Sequence, residues 1–160
     1  MESLKNILSA ILLLLILYSC DSKNYLFEET KPIEKGAWTY NNTLDFTFDI
    51  QDTTTIYNIY LALDHTNDYP YQNLYLKVHT LFPNGKKMER PVSFELADKY
   101  GQWYGECGSE TCRLLVPFQS KTYFNAIGKH TITLEQYMRK DPIEGIEGLS
   151  LMVENTGVGR

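Results

Sequence analysis

The sequence predicts an all-β domain, an antiparallel β-sandwich of jelly-roll-like character, set behind an N-terminal signal segment. Three observations carry this reading. Apolar and polar residues alternate with period two in one segment after another. No long stretch repeats its apolar residues at helical spacing. The 12 tyrosines stand with Thr, Ile, Val and Phe in a chain that is 13% aromatic, a composition suited to half-buried pleated surfaces. At 160 residues the chain has the length of one domain, which excludes a multidomain enzyme.

The first element is an address. Residues 1–6 carry Lys5 as their one cation, and residues 7–17 are apolar apart from Ser9. A membrane-spanning helix needs about 20 apolar residues, and here the polar run Cys20-Asp21-Ser22-Lys23-Asn24 follows too soon, so the segment reads as a signal-peptide core. It closes on Leu17-Tyr18-Ser19-Cys20, which resembles the bacterial lipobox: Leu three before the Cys, a small residue directly before it, then the Cys that receives diacylglycerol before cleavage. Cys20 is the expected lipidation site and a membrane the expected partner, against the alternative of an ordinary secretory signal with an incidental Cys. Each buried acyl CH₂ contributes about 0.8 kcal/mol, so two or more chains anchor a protein stably. The expected organisation is a lipoprotein signal peptide over 1–19, a lipidated N-terminus and tether over 20–36, and a single β-sandwich over 37–156. The place is the bacterial cell envelope, at the inner membrane or the periplasmic face of the outer membrane.

The strands follow in order. Residues 25–27 form a candidate first short strand inside the tether. Leu44, Phe46, Phe48 and Ile50 alternate with Asp45, Thr47, Asp49 and Gln51, which gives one apolar and one wet face. Ile59, Leu61 and Leu63 make the next strand, ended by the turn-rich His65-Thr66-Asn67-Asp68-Tyr69-Pro70, and Leu74, Leu76 and Val78 continue the pattern. Asn84-Gly85 after Phe82-Pro83 is a hairpin signal, because both residues tolerate positive φ. Its return strand holds Val92, Phe94 and Leu96. Residues 103–107 and 113–118 are expected as a pair of strands around a loop, 131–138 as a strand with Ile132, Leu134 and Met138 on one face, and 149–153 as the last.

Cys107 and Cys112 are an even pair once Cys20 is acylated, and the spacing Cys-Gly-Ser-Glu-Thr-Cys fits a disulfide across a tight loop in an oxidising compartment. Two reduced thiols are the alternative. A metal site is not expected, since His65, His79 and His130 are scattered and no further Cys completes a tetrahedral set.

Function classes narrow by exclusion. With 15 Lys+Arg against 20 Asp+Glu, a net charge of −5 and no cationic run longer than Lys86-Lys87, the chain lacks the stripe that nucleic acid requires. No nucleophile motif, phosphate loop, zinc-protease motif or dinucleotide fingerprint occurs, so neither an enzyme nor a cofactor is expected. Asp141, Glu144 and Glu147, like Asp64 and Asp68, read as solvated loop charge rather than as paired catalytic carboxylates or a calcium site. Tyr69, Tyr71, Trp103 and Tyr104 at loop positions suit stacking on sugar rings, which makes a surface or periplasmic glycan-binding module the alternative function. The structural counterpart is that these rings fill a core and wet their hydroxyls.

Five segments, Tyr57-Asn58-Ile59-Tyr60, Asp68-Tyr69-Pro70-Tyr71-Gln72-Asn73-Leu74, Phe82-Pro83-Asn84-Gly85, Gln136-Tyr137-Met138-Arg139 and Ile143-Glu144-Gly145-Ile146-Glu147, resemble by their order and spacing the gliding-motility lipoprotein GldH family of Bacteroidetes. The resemblance runs from the lipobox nearly to the C-terminus. It implies an envelope lipoprotein in an accessory or scaffold role, required for gliding, a process tied to the secretion of surface adhesins by the type IX system. Its implied partners are other envelope or gliding-machinery proteins, and it implies no catalytic residues. The Cys107/Cys112 pair departs from the family pattern. The family-like residues concentrate in turns, where Tyr69, Tyr71 and Arg139 combine amphipathic rings with a bidentate cation. Those residue types dominate protein–protein hot spots, and all three are expected to bind a partner. The alternative is that Pro70 and Gly145 fix turn geometry while the tyrosines cap the core.

Overall fold

Alternating side chains build two layers with the apolar faces turned together. The structure, a computed structural model, describes residues 23–160, so Cys20 and the signal segment lie outside the described residues. The strands are β1 (Tyr25–Pro32), β2 (Ala37–Trp38), β3 (Leu44–Ile50), β4 (Thr55–Thr66), β5 (Asn73–Leu81), β6 (Lys87–Glu95), β7 (Glu106–Cys107), β8 (Thr111–Thr122), β9 (Gly128–Gln136), β10 (Ile143–Glu144) and β11 (Ile146–Gly159), with a 3₁₀ turn at Glu34–Gly36. One sheet has the order β1-β11-β4-β8-β7, the facing sheet β3-β9-β5-β6, and β10 pairs with β2 as a small ribbon. The pairings are antiparallel throughout. The expected all-β antiparallel sandwich is what the chain forms.

β3 follows its sequence pattern residue by residue: Leu44, Phe46, Phe48 and Ile50 are buried and the residues between them exposed. From the facing sheet Ile59, Leu61, Leu63, Leu149, Leu151 and Val153 meet them in a common core. β11 carries a six-residue run, Gly148–Val153, that is buried on both faces. Ser150, on its outer face, is covered because Thr30 shares a 2.7 Å hydrogen bond with it and Arg113 donates to it at 3.1 Å.

Within the expected tether, the short strand expected over 25–27 is corrected to a longer one. Tyr25–Pro32 is an eight-residue strand paired along β11 from Glu154 to Gly148. Phe27 packs on Phe48 with ring centroids 5.5 Å apart. Glu28, Glu29 and Lys31 obscured this in the sequence, but an edge strand tolerates charge, and Lys31 pairs with Glu29 at 2.8 Å. The sandwich therefore begins at Tyr25, and β11 carries it to Gly159, beyond the expected end at 156.

One strand is shorter than expected and one is shifted toward the N-terminus. Of residues 103–107 only Glu106–Cys107 pairs with β8, and Trp103 makes an isolated bridge to Ala97. β9 ends at Gln136, so Met138 lies in the following connection. The β5–β6 hairpin turns through residues 82–86, closed by Phe82 N–H to Lys86 O at 2.9 Å, and Gly85 supplies its positive φ of 80°.

Candidate functional site

One end of the sandwich gathers the connections 33–43, 67–72, 96–110 and 137–145. There Tyr40, Tyr71, Tyr75 and Tyr137, with Met138, Arg139 and Lys140, line a single open cleft. Tyr75 reaches it from the outer face of β5, Tyr71 from the turn before that strand, Tyr137–Lys140 from the connection after β9, and Tyr40 from the turn after β2.

Buried polar groups hold the cleft in shape. Gln136 is fully buried; its amide N–H donates to Lys140 O at 3.2 Å, and its oxygen accepts from Met138 N–H at 2.9 Å, which folds 136–140 into a tight arch. A buried amide satisfied on both sides fixes its surroundings, since leaving either half unpaired would be costly. Tyr137 N–H donates to Tyr75 O at 2.8 Å, so the arch is an extension of the β9–β5 pairing. Trp38, also fully buried, donates its indole N–H to Asn42 O at 2.6 Å and bends the chain at Tyr40. Tyr40 is then tied across the cleft, by its hydroxyl to Met138 O at 2.7 Å and by its N–H to Asp141 Oδ1 at 3.0 Å. Below the arch, Gly145 has φ of 90°, and a Cβ there would lie 3.0 Å from Thr66 Oγ1 and 3.3 Å from Tyr69 Cα, a position only glycine fits without displacement.

Tyr40, Tyr75 and Tyr137 are exposed, Tyr137 at 50% and Tyr75 at 43%, while Tyr71 is partly buried against the core. Lys77 Nζ lies 4.7 Å from the centre of the Tyr137 ring. Arg139 and Lys140 are exposed at the rim. The cleft thus offers aromatic faces, a polarisable sulfur and two cations.

Of the three expected partner-binding residues the structure brings Tyr71 and Arg139 together here and excludes Tyr69. Tyr69 is 3% exposed, its hydroxyl donates to Asn73 O at 3.0 Å, and burial pushes its phenol well above the usual tyrosine range. It supports Tyr71 from below, edge to face, with centroids 5.6 Å apart. Trp103 is half-buried against His65 at 4.6 Å and so belongs to the floor of this end, whereas Tyr104 is exposed. Sequence reasoning missed Tyr40, Tyr75, Tyr137 and Lys140 as site residues. The signal for Tyr75 was present: a large ring on the wet side of an alternating strand, between Leu74 and Leu76.

Cys107 and Cys112 are joined with S–S 2.00 Å, β7 to β8. Their loop is tied to the β4–β5 turn by Asn67, whose side chain donates to Gly108 O and Ser109 O. Asp64 is held by Arg113 at 2.7 Å. Among the described residues no group of three or more His, Cys, Asp or Glu is placed to hold a metal ion.

The fold and cleft define a class: an all-β sandwich with a tyrosine-lined surface at one end. Residues 25–153 match the family described as GldH lipoprotein, and the chain belongs to that family. It is 26% identical over 154 residues to the gliding motility lipoprotein GldH homolog of Christiangramia forsetii, covering 94% of this chain and 93% of that one. It is 29% identical over 144 residues to the gliding motility lipoprotein GldH of Flavobacterium johnsoniae, with 88% of each chain covered. Among solved structures a chain of the infectious bursal disease virus VP2 subviral particle aligns with TM-score 0.41 and 16% identity over 86% of this chain and 34% of that one. The protein is accordingly a membrane-associated cell-envelope lipoprotein of a gliding-motility family.

Proposed function

We propose that this lipoprotein, acylated at Cys20, is an accessory or scaffold component of the envelope gliding machinery, linked to type IX secretion of surface adhesins, and that a protein of that machinery docks in the tyrosine cleft. The observation that carries the reading is the convergence of Tyr71 and Arg139 with Tyr40, Tyr75, Tyr137 and Met138 on a framework fixed by Gln136 and Trp38. Tyr, Met and Arg are the residue types enriched in interface cores, and a rigid support lowers the ordering cost of binding. The test is in-cell cross-linking in a gliding host that carries this gene in place of its own. A photoreactive residue at Tyr137 should capture an envelope protein that Tyr71→Ala no longer captures. Capture unchanged by Tyr71→Ala would defeat the reading.

Exposed rings in an open cleft also favour a glycan ligand. Binding of the purified lipoprotein to one glycan class across a broad panel, abolished by Tyr137→Ala, would select that second reading.

A further inference from the structure

The opposite end of the sandwich gathers the start of β1, the β3–β4 connection, the β5–β6 hairpin, the β8–β9 connection and the end of β11. Its chemistry is the reverse of the cleft end. Residues 23–24, 49–55, 81–90, 119–129 and 154–160 contain seven Lys or Arg and four Asp or Glu, whereas the connections at the cleft end contain four and seven. Among the described residues Lys23, Lys86, Lys87, Lys121 and Lys129 form no ion pair. The acids at this end are largely engaged: Asp52 accepts from Thr54 and Thr55, Glu154 from Asn58 and Tyr60, and Glu89 faces His79.

Large apolar side chains stand exposed among these cations. Met88, Tyr123 and Val158 are about half exposed and Ile127 is 64% exposed. Between the sheets a recess of about 380 Å³ opens at this end, floored by Phe48, Phe124 and His130 and rimmed by Lys86 and Arg90. The Arg90 guanidinium lies 4.8 Å over the Phe118 ring, which keeps its charge at the mouth. Cation outside and hydrocarbon behind is the layering that complements a phospholipid, headgroup first and acyl chain beneath.

The chain also leads from here to its anchor. Asn24 O accepts from Asn155 N–H at 2.9 Å, and Lys23 Nζ sits 4.0 Å from the Tyr60 ring centre, so the backbone is fixed to the sandwich at this point. Three residues separate Asn24 from Cys20, four Cα–Cα steps with a reach of at most about 14 Å.

We propose that this end is a membrane-docking face that seats on an anionic phospholipid bilayer, the lysines on its headgroups and Met88, Tyr123 and Ile127 in its interfacial layer, with the tyrosine cleft turned away from the membrane. The inference rests on acylation of Cys20. Acyl chains hold the protein to a bilayer whatever its orientation; the docking face selects the orientation. Each interfacial Lys or Arg contributes about fivefold to association with an anionic surface, and the exposed apolar residues add a component that salt does not screen.

The test uses the mature acylated protein reconstituted in phosphatidylglycerol–phosphatidylcholine vesicles that carry a phospholipid with a photoreactive headgroup. Cross-links should map to peptides within 81–90 and 121–129. The triple charge reversal Lys86→Glu, Lys87→Glu and Lys129→Glu should lower their yield at least tenfold, as should pure phosphatidylcholine, while the protein stays acylated and bound to vesicles. Acylated protein labelled instead at 71–75 and 137–140, labelled evenly, or insensitive to both changes overturns the orientation alone. A chain that is not acylated and does not sediment with vesicles overturns the anchor reading and this inference with it.

Discussion

Tyr69 and Tyr71, two residues apart, meet edge to face at 5.6 Å, one sealed in the core and the other at the wall of the cleft. The pair separates support from surface. Tyr69→Ala should destabilise the domain by about 3–5 kcal/mol, as for other buried aromatics, and Tyr69→Phe by about 1 kcal/mol through loss of the hydrogen bond to Asn73. Tyr71→Ala should stay folded. Denaturant unfolding of the three variants checks the ranking, and a Tyr71→Ala loss as large as that of Tyr69→Ala would place Tyr71 in the core.

Lipidation depends on one thiol. Cys20→Ala should leave an unprocessed precursor, because acylation of that sulfur precedes cleavage by the lipoprotein signal peptidase. Metabolic acyl labelling should vanish in the mutant, with retarded gel mobility. Labelling that persists refutes the anchor.

The bridge between Cys107 and Cys112 should be found oxidised in protein recovered from cells under thiol-blocking conditions. A loop this small removes about 2 kcal/mol of denatured-state entropy. Cys107 is exposed and Cys112 is 1% exposed, so Cys107→Ser should report the bridge alone, while Cys112→Ser adds the cost of a hydroxyl in the core. Chemical unfolding should therefore rank Cys112→Ser below Cys107→Ser.

His130 is 2% exposed and stacks on Phe48, and desolvation holds its imidazole below the usual histidine range, despite the carbonyl of Gly128 at 3.0 Å and the charge of Asp49. The unfolded chain therefore takes up a proton near pH 6.5 that the folded domain still refuses. Stability should be complete above that pH and fall as pH drops from about 6.5 toward the lowered value of the folded state. Urea midpoints measured across pH 7.5 to 5 should show this slope, and His130→Leu should flatten it.

The central face of the sandwich tests the packing directly. Phe48→Ala should cost about 3–5 kcal/mol, since its ring meets Phe27, Phe124 and His130. Thermal unfolding by circular dichroism, which should itself show strand signal with little helix, gives the value. A neutral effect would put that face in solvent.

What could be read from the chain was what period two encodes. Leu44 to Ile50 declared both faces of β3, whereas β1 showed only its first three residues, because an edge strand can carry Glu and Lys where a central strand cannot. The cleft was legible only in part. Tyr71 and Arg139 announced themselves as turn residues of the right type, but their meeting depends on β9 lying beside β5, a sheet order that spacing does not reveal. Nor does the sequence show which of Tyr69 and Tyr71 turns inward, because both flank Pro70 in an irregular segment.

The edge position of β1 has a mechanical consequence. An anchor at its start and a partner held in the cleft at the far end would pull the molecule along its strands. β1 would then be drawn parallel to β11, against all seven paired positions from Tyr25 to Pro32 at once. Hydrogen bonds loaded together in shear resist far more force than bonds peeled open in turn. A domain coupled to moving machinery in this way would carry tension across its sheet without losing the strand that tethers it.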